Sequence, residues 1–202
     1  MSAEPRLAQK LADAISAGSY RPGEWLKQID LASTFGATRF EVRRALEELT
    51  LRKAVSHVPQ KGYRVSVPSD SDIDQARAVR VLLEAEAARL VAEAIDEDGI
   101  AKLQTLASQF RQATENGSAA ERSRINHQFH DTMYAYAGNP MLADLIREVR
   151  DRFRGTPIFS WPSVQSMQKS ADDHDRIVAA LRLRDPQAAA DAVRRHIVKG
   201  PA

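Results

Sequence analysis

The 202-residue chain contains no cysteine. That absence excludes a disulfide scaffold, a thiolate metal site and a cysteine nucleophile, and it fits a reducing cytoplasm. Long apolar runs are also missing. None approaches the ~20 residues that a membrane-crossing helix needs, and the opening MSAEPRLAQK lacks the apolar core of a secretory signal. No repeat of fixed period is evident. Global disorder is excluded from the other side, because 43% hydrophobic and 28% charged residues make a normal folded composition. Histidine is scarce and uneven: of five, only His57 precedes His127, and His130, His174 and His196 follow it.

A net charge of +2 hides a split. Residues 1–69 carry 11 Lys and Arg against 7 Asp and Glu, and residues 70–202 carry 18 against 20. A small basic part therefore precedes a larger, mildly acidic one, as expected of two units of which the first faces a polyanion. Ordinary charge fluctuation is the competing explanation.

The basic part reads helix, turn, helix, helix, hairpin. Leu7, Leu11, Ala14 and Ile15 recur at helical spacing, Gly18 ends that helix, and Arg21-Pro22-Gly23 makes a tight turn. A short helix over Gln28–Phe35 stops at Gly36. Thr38 then caps a helix running to about Leu51, with Glu41 as capping-box partner and Val42, Ala45, Leu46 and Leu49 inward. Ser56 to Val67 reads as two strands around Pro59-Gln60-Lys61-Gly62. Residues 68–71 have linker chemistry. Beyond them no strand is expected, only helices over about 72–95, 98–115, 120–136, 140–154, 164–183 and 186–199, with breaks at Asp96-Glu97-Asp98-Gly99, Asn116-Gly117, Gly138-Asn139-Pro140, Gly155-Thr156-Pro157 and Asp185-Pro186. The expected fold is mostly α: a winged helix-turn-helix unit over 1–67, then an all-α six-helix bundle over 72–202.

A short helix, a glycine break and a second helix before a hairpin is the layout of a winged DNA reader, whose second helix enters the major groove. Its first turns hold Thr38, Arg39, Arg43 and Arg44. Arg39 and Arg43 are four apart and share a face. Arginine bonds bidentately to guanine O6 and N7, worth about 1–3 kcal/mol of discrimination per base. Lys61 and Gly62 at the hairpin tip offer a cation and a close backbone approach for a phosphate or the minor groove. A solvated basic helix face is the alternative.

In the helical part, Asn126 and His130 are four apart on one helix and face the same way. His127 is one position off and is expected to point to solvent. His174 and His196 lie on the fifth and sixth helices of that part. Three imidazoles and an amide oxygen could meet in the bundle, a donor set suited to zinc, nickel, copper or iron with positions left open for a ligand. Separate hydrogen-bonded structural histidines are the alternative.

Residues 5–67 resemble the winged-helix domain of the GntR family of bacterial transcription regulators. The resemblance is carried by Ile15, Gly18, Pro22-Gly23, Leu26, Asp30-Leu31-Ala32, Gly36, Thr38-Arg39, Val42-Arg43, Ala45-Leu46, Leu49, and the wing Lys61-Gly62-Tyr63 with Val65. It implies DNA contacts from Thr38, Arg39, Arg43, Lys61 and Gly62. Three positions depart from the family. Glu41 stands where proline is usual, Arg44 where an acid is usual, and Lys53 where a glycine often follows the helix. Arg44 adds a cation that can meet a phosphate, and Lys53 is expected to strain its turn by ~1 kcal/mol if its φ is positive.

Residues from about 72 to 199 resemble the FCD effector domain of the FadR subfamily. The motifs are Arg80 with Leu83-Glu84, Asn126 with Phe129-His130, Gly138-Asn139-Pro140, His174 with Ile177, Ala180-Leu181 and Asp185, and Ala189 with Val193 and His196. Six helices resemble the shorter, VanR-like variant. The resemblance implies a divalent metal, zinc or nickel ahead of others, on Asn126, His130, His174 and His196, with asparagine where the family more often has aspartate. It also implies Arg80 as the effector-cavity arginine. A surface ion pair with Glu84, four residues on, competes for that side chain.

The resulting expectation is a cytoplasmic homodimeric repressor on a palindromic double-stranded operator, released by a small carboxylic or hydroxy acid at the metal. Two rivals stand beside it: a metal-dependent hydrolase on a helical bundle, with Asp172, Asp173 or Asp175 as base, and a metal sensor without organic effector. No Glu sits in a metalloprotease-type His pair.

Overall fold

The structure is a computed structural model that describes residues 6–16, 18–151 and 163–199. The chain divides into two compact units, one within residues 1–69 and the other built from Asp70–Arg150 and the C-terminal stretch.

The first unit runs α1 (Leu7–Ser16), β1 (Trp25–Leu26), α2 (Gln28–Phe35), α3 (Arg39–Leu51), β2 (Val55–Val58) and β3 (Gly62–Val65). Gly36 adopts φ 62° and its N–H bonds to the Ala32 carbonyl, so a left-handed residue ends α2 and turns the chain into α3. Leu11, Leu31, Val42, Leu46 and Leu49 bury one face each of α1, α2 and α3 in a common core. The sheet order is β1-β3-β2, antiparallel throughout. Strand β1 departs from the sequence expectation of two strands. It is two residues long, too short to show alternation, and forms because β3 offers a free edge to Trp25 and Leu26.

Lys53 takes φ 60°, so the residue standing where a glycine often follows the helix does adopt the left-handed region. Lys53→Gly is expected to stabilise this unit by about 1 kcal/mol, the usual cost of a Cβ in that region, read as a raised midpoint in urea unfolding.

Among the described residues the second unit has six helices: α4 (Asp70–Ala94), α5 (Glu97–Asn116), α6 (Ala119–Ala135), α7 (Pro140–Asp151), α8 (Val164–Arg182) and α9 (Pro186–Lys199). Helix α4 starts at Asp70, inside the stretch 68–71 read as linker, with Asp70 and Asp72 in the first turn where the helix dipole favours them. Asp96, Ser118 and Ser163 each accept a backbone N–H at the start of α5, α6 and α8. The expected extension of α7 to 154 and the break at Gly155-Thr156-Pro157 lie outside the described residues. Ala85, Ala88 and Ala92 of α4 and Ala189 and Ala190 of α9 are fully or almost fully buried, and these small side chains let α4 and α9 pack closely along their length. Phe129, Met133, Ile177, Leu181 and Val193 fill the centre. No helix of the described residues is long and apolar enough to cross a membrane.

Candidate functional site

In the first unit, Thr38 and Glu41 form the expected capping box. Glu41 N–H donates to Thr38 Oγ1 (3.3 Å), while the Thr38 N–H and O–H both donate to Glu41 Oε2 (2.8 and 2.7 Å). These bonds hold the Glu41 carboxyl below its ordinary range. The carboxylate that replaces the usual proline is thus turned back onto the helix start, and the Thr38 hydroxyl is committed to the same cap. Val42, Ala45, Leu46 and Leu49 are buried, while Arg39, Arg43 and Arg44 are exposed on the other side of α3. Arg43 Nε donates to Glu47 Oε1 (2.9 Å), which orders the guanidinium while its two terminal nitrogens keep their own donors.

The wing differs slightly from the sequence reading. Its tip is Pro59-Gln60-Lys61, and Gly62 is already the first residue of β3, paired with Val58. Gly62 holds φ 99° although a Cβ there would meet nothing within 4 Å, so glycine is needed for the backbone angle. Lys61 is exposed beside it. His57, on β2, lies against Tyr63 with ring centroids 4.7 Å apart.

In the second unit, His130 of α6, His174 of α8 and His196 of α9 meet. One ligand nitrogen from each lies within 4.8 Å of the others, and the ring centroids are 5.1–5.2 Å apart. His130 and His174 are fully buried. Both ring nitrogens of His130, both of His174, Nδ1 of His196 and Oδ1 of Asn126 are buried without a hydrogen-bond partner. Five unsatisfied imidazole nitrogens in one cluster are far above what a protein interior tolerates. All are lone-pair or tautomer-dependent groups, the donor chemistry of a divalent metal with nitrogen and oxygen preference, so the residues present fit such an ion. Burial pushes the His130 and His174 imidazoles well below their ordinary range; Arg150 and the neighbouring histidines push the same way, keeping both neutral and able to ligate. Phe129 stacks on His174 at 4.2 Å and 18°, fixing its ring plane.

Asp173 Oδ2 lies 3.8 Å from His196 Nδ1, too long for a hydrogen bond but close enough to favour its orientation. Burial raises the Asp173 carboxyl, and His196 with Arg176 overcomes that, so the net displacement is downward. Asp172 and Asp175 both bind Arg111 of α5 at 2.7 Å, turned to another side of α8. His127 corrects the sequence expectation: it is half-buried with Nδ1 shut away from solvent, because α6 is covered on more than one side.

Arg80 is buried and its Nε donates to Glu84 Oε1 at 2.5 Å. The expected competing ion pair is therefore present, but in the interior instead of on the surface. Glu84 Oε2 also accepts from Arg150 Nη1 (3.0 Å) and Tyr134 O–H (2.6 Å). Burial raises the Glu84 carboxyl, and the two guanidiniums and the donated bonds overcome it, holding it at about 2.

The comparisons with known proteins bear on this arrangement. The gntR family of bacterial regulatory proteins matches residues 4–65, and the FCD domain matches residues 75–199. The chain belongs to the GntR family and carries an FCD domain. It is 28% identical to the HTH-type transcriptional repressor GlaR of Escherichia coli strain K12, over 93% of this chain and 89% of that protein. It is 25% identical to the HTH-type transcriptional regulator YdhC of Bacillus subtilis strain 168, over 93% and 84%. The solved structure of E. coli McbR/YncC shares the fold, with a TM-score of 0.83 at 23% identity over 95% of this chain and 92% of that one. This GntR-family protein is accordingly a transcription regulator of the operator-binding kind with an effector-binding domain.

Sequence reasoning about this regulator passed over Arg150, Tyr134 and the position of Asp173. Arg150 carried a legible signal: it follows Ala143 and Ile146 on the buried stripe of α7, where a lone cation asks for a buried partner. Glu84 between the apolar stretches of α4 carried the matching one.

Proposed function

We propose that this protein is a cytoplasmic homodimeric repressor released from a palindromic operator by a small carboxylic or hydroxy acid. Residues 1–67 serve as the reader, 68–71 as the connection, and 72–202 as the effector and dimerisation unit. Arg39 and Arg43 read base edges in the major groove, and Arg44 and Lys61 neutralise phosphates, with Gly62 letting the wing backbone approach. Thr38 acts by fixing the helix start that aims them. Asn126, His130, His174 and His196 hold a divalent ion, zinc or nickel; bound there, it supplies a Lewis-acidic docking point for the acid's oxygens. Arg80, held by Glu84, directs its guanidinium to the acid's carboxylate. Asn126 contributes no negative charge where aspartate would, which leaves the site more receptive to an anion.

The observation that carries the effector reading is the cluster of unsatisfied buried nitrogens. In the test, duplexes are selected in vitro from a random library with the full-length protein, and their affinity is measured with zinc or nickel and a panel of small carboxylates. The expected result is a salt-sensitive, sequence-selective complex weakened 5–150-fold by one class of acid, only when metal is present. Weakening by metal alone, indifferent to every acid, would select the metal-sensor reading instead.

A further inference from the structure

We propose that Phe40 is a base-reading residue of this regulator, contacting the C5-methyl of thymine in the major groove. The inference rests on the reading of α3 as the DNA-reading helix and adds a specificity residue to it.

Phe40 is 69% exposed, although it is one of only six phenylalanines in the chain. A single exposed apolar residue needs no explanation, but its position does. Helix α3 buries Val42, Ala45, Leu46 and Leu49. At ~100° per residue, the direction opposite the middle of that face is occupied by Phe40, with Arg39 and Arg43 on one side of it and Arg44 on the other. The ring is therefore not a fringe of the core, and it is absent from the core cluster of its unit. It stands between Arg43 and Arg44, with Glu47, the partner of Arg43, two turns further along the same side, and it is the second residue of the helix, where a recognition helix meets base edges.

A partner for this face must satisfy guanidiniums and an apolar ring within one helical turn. The major groove does so: phosphates and guanine acceptors take arginine, and the thymine methyl is the apolar group that a base edge presents there. The capping box engages two further polar groups of the first turn. Thr38 Oγ1 and Glu41 Oε2 are closed on each other by the capping box, so the carboxylate that would accept from cytosine N4 is turned back. Of the side chains outside that cap, the turn offers arginine for guanine and Phe40 for thymine.

The experiment uses full-length protein and the duplex enriched from a random library. Each thymine is replaced in turn by deoxyuridine, which deletes only the methyl. For the unaltered protein, at least one replacement is expected to weaken binding about fourfold, the effect of exposing one methyl-sized group. Phe40→Ala is expected to bind the thymine and deoxyuridine duplexes equally, with an unchanged salt slope and circular dichroism spectrum, while Phe40→Leu keeps part of the discrimination. Indifference of the unaltered protein to every replacement, or full discrimination retained by Phe40→Ala, overturns the proposal while leaving α3 as the reader. If no duplex is enriched at all, the reading of α3 falls and this inference falls with it.

Discussion

Glu84→Gln is expected to destabilise the helical unit by about 3–5 kcal/mol, the range seen when one partner of a buried ion cluster is removed. Glu84 is fully buried and is bonded by Arg80, Arg150 and Tyr134. A glutamine of the same shape offers one accepting oxygen and turns an NH2 toward donors. It leaves two guanidiniums without their counter-charge in a desolvated place. Packing is preserved, so the effect is electrostatic, and urea unfolding followed at a helical signal measures it. A loss below about 1 kcal/mol would contradict this account of the cluster.

The same residue predicts a pH dependence. Its carboxyl sits at about 2 in the folded chain and near 4.3 when unfolded. A depressed folded value means that the contribution is fully present above about pH 4.3 and is lost as pH falls from there toward about 2. Over that window the unaltered protein should lose about 3 kcal/mol that Glu84→Gln has already lost, so the two stability curves converge in acid. His130 and His174 act in the same direction, since burial first of all pushes them well below their ordinary range and they must charge on unfolding. Their loss begins higher, below about pH 6.5, and is common to both proteins. Subtraction therefore isolates Glu84.

The second large effect concerns the histidine cluster. Chelator-treated protein given zinc or nickel at about 100 times the dissociation constant should gain about 2.7 kcal/mol. For a unit of this size that is a rise in Tm of roughly 5–10 °C. His174→Ala should abolish most of that rise, because it removes one of three convergent imidazoles. Asn126→Asp should enlarge it, since a carboxylate replaces the unsatisfied amide oxygen one helical turn before His130. A control at the exposed His57, on the wing, should leave the metal response unchanged. An equal rise in His174→Ala would place the ion elsewhere.

Local patterns made much of this legible beforehand. The Thr38/Glu41 cap, the stops at Gly36 and Gly138, and the four-residue step from Asn126 to His130 are short-range features, and short-range features are what spacing and propensity encode. Strand β1 was not legible, because two residues carry no period and its pairing is made wholly by β3. His127 reads from spacing as solvent-facing yet is half-buried for a related reason: helical spacing tells which residues share a face, but not how many neighbouring helices cover the helix. Arg80 shows the limit most clearly. Its spacing to Glu84 suggested an ion pair, and the pair exists, yet only the arrival of Arg150 from α7 and Tyr134 from α6 makes it a buried cluster.

By itself the sequence determined the two-part organisation, the mostly helical class, the cationic first turns of α3 and the restriction of any metal to nitrogen and oxygen donors, since there is no cysteine. These follow from composition and from contacts no more than a few residues apart. Only the tertiary structure decided that His130, His174 and His196, separated by 44 and 22 positions, bring nitrogens within 4.8 Å of one another, and that Glu84 lies beneath two guanidiniums. Such meetings depend on how helices pack against each other, and packing is a property of whole faces that no single stretch of chain carries.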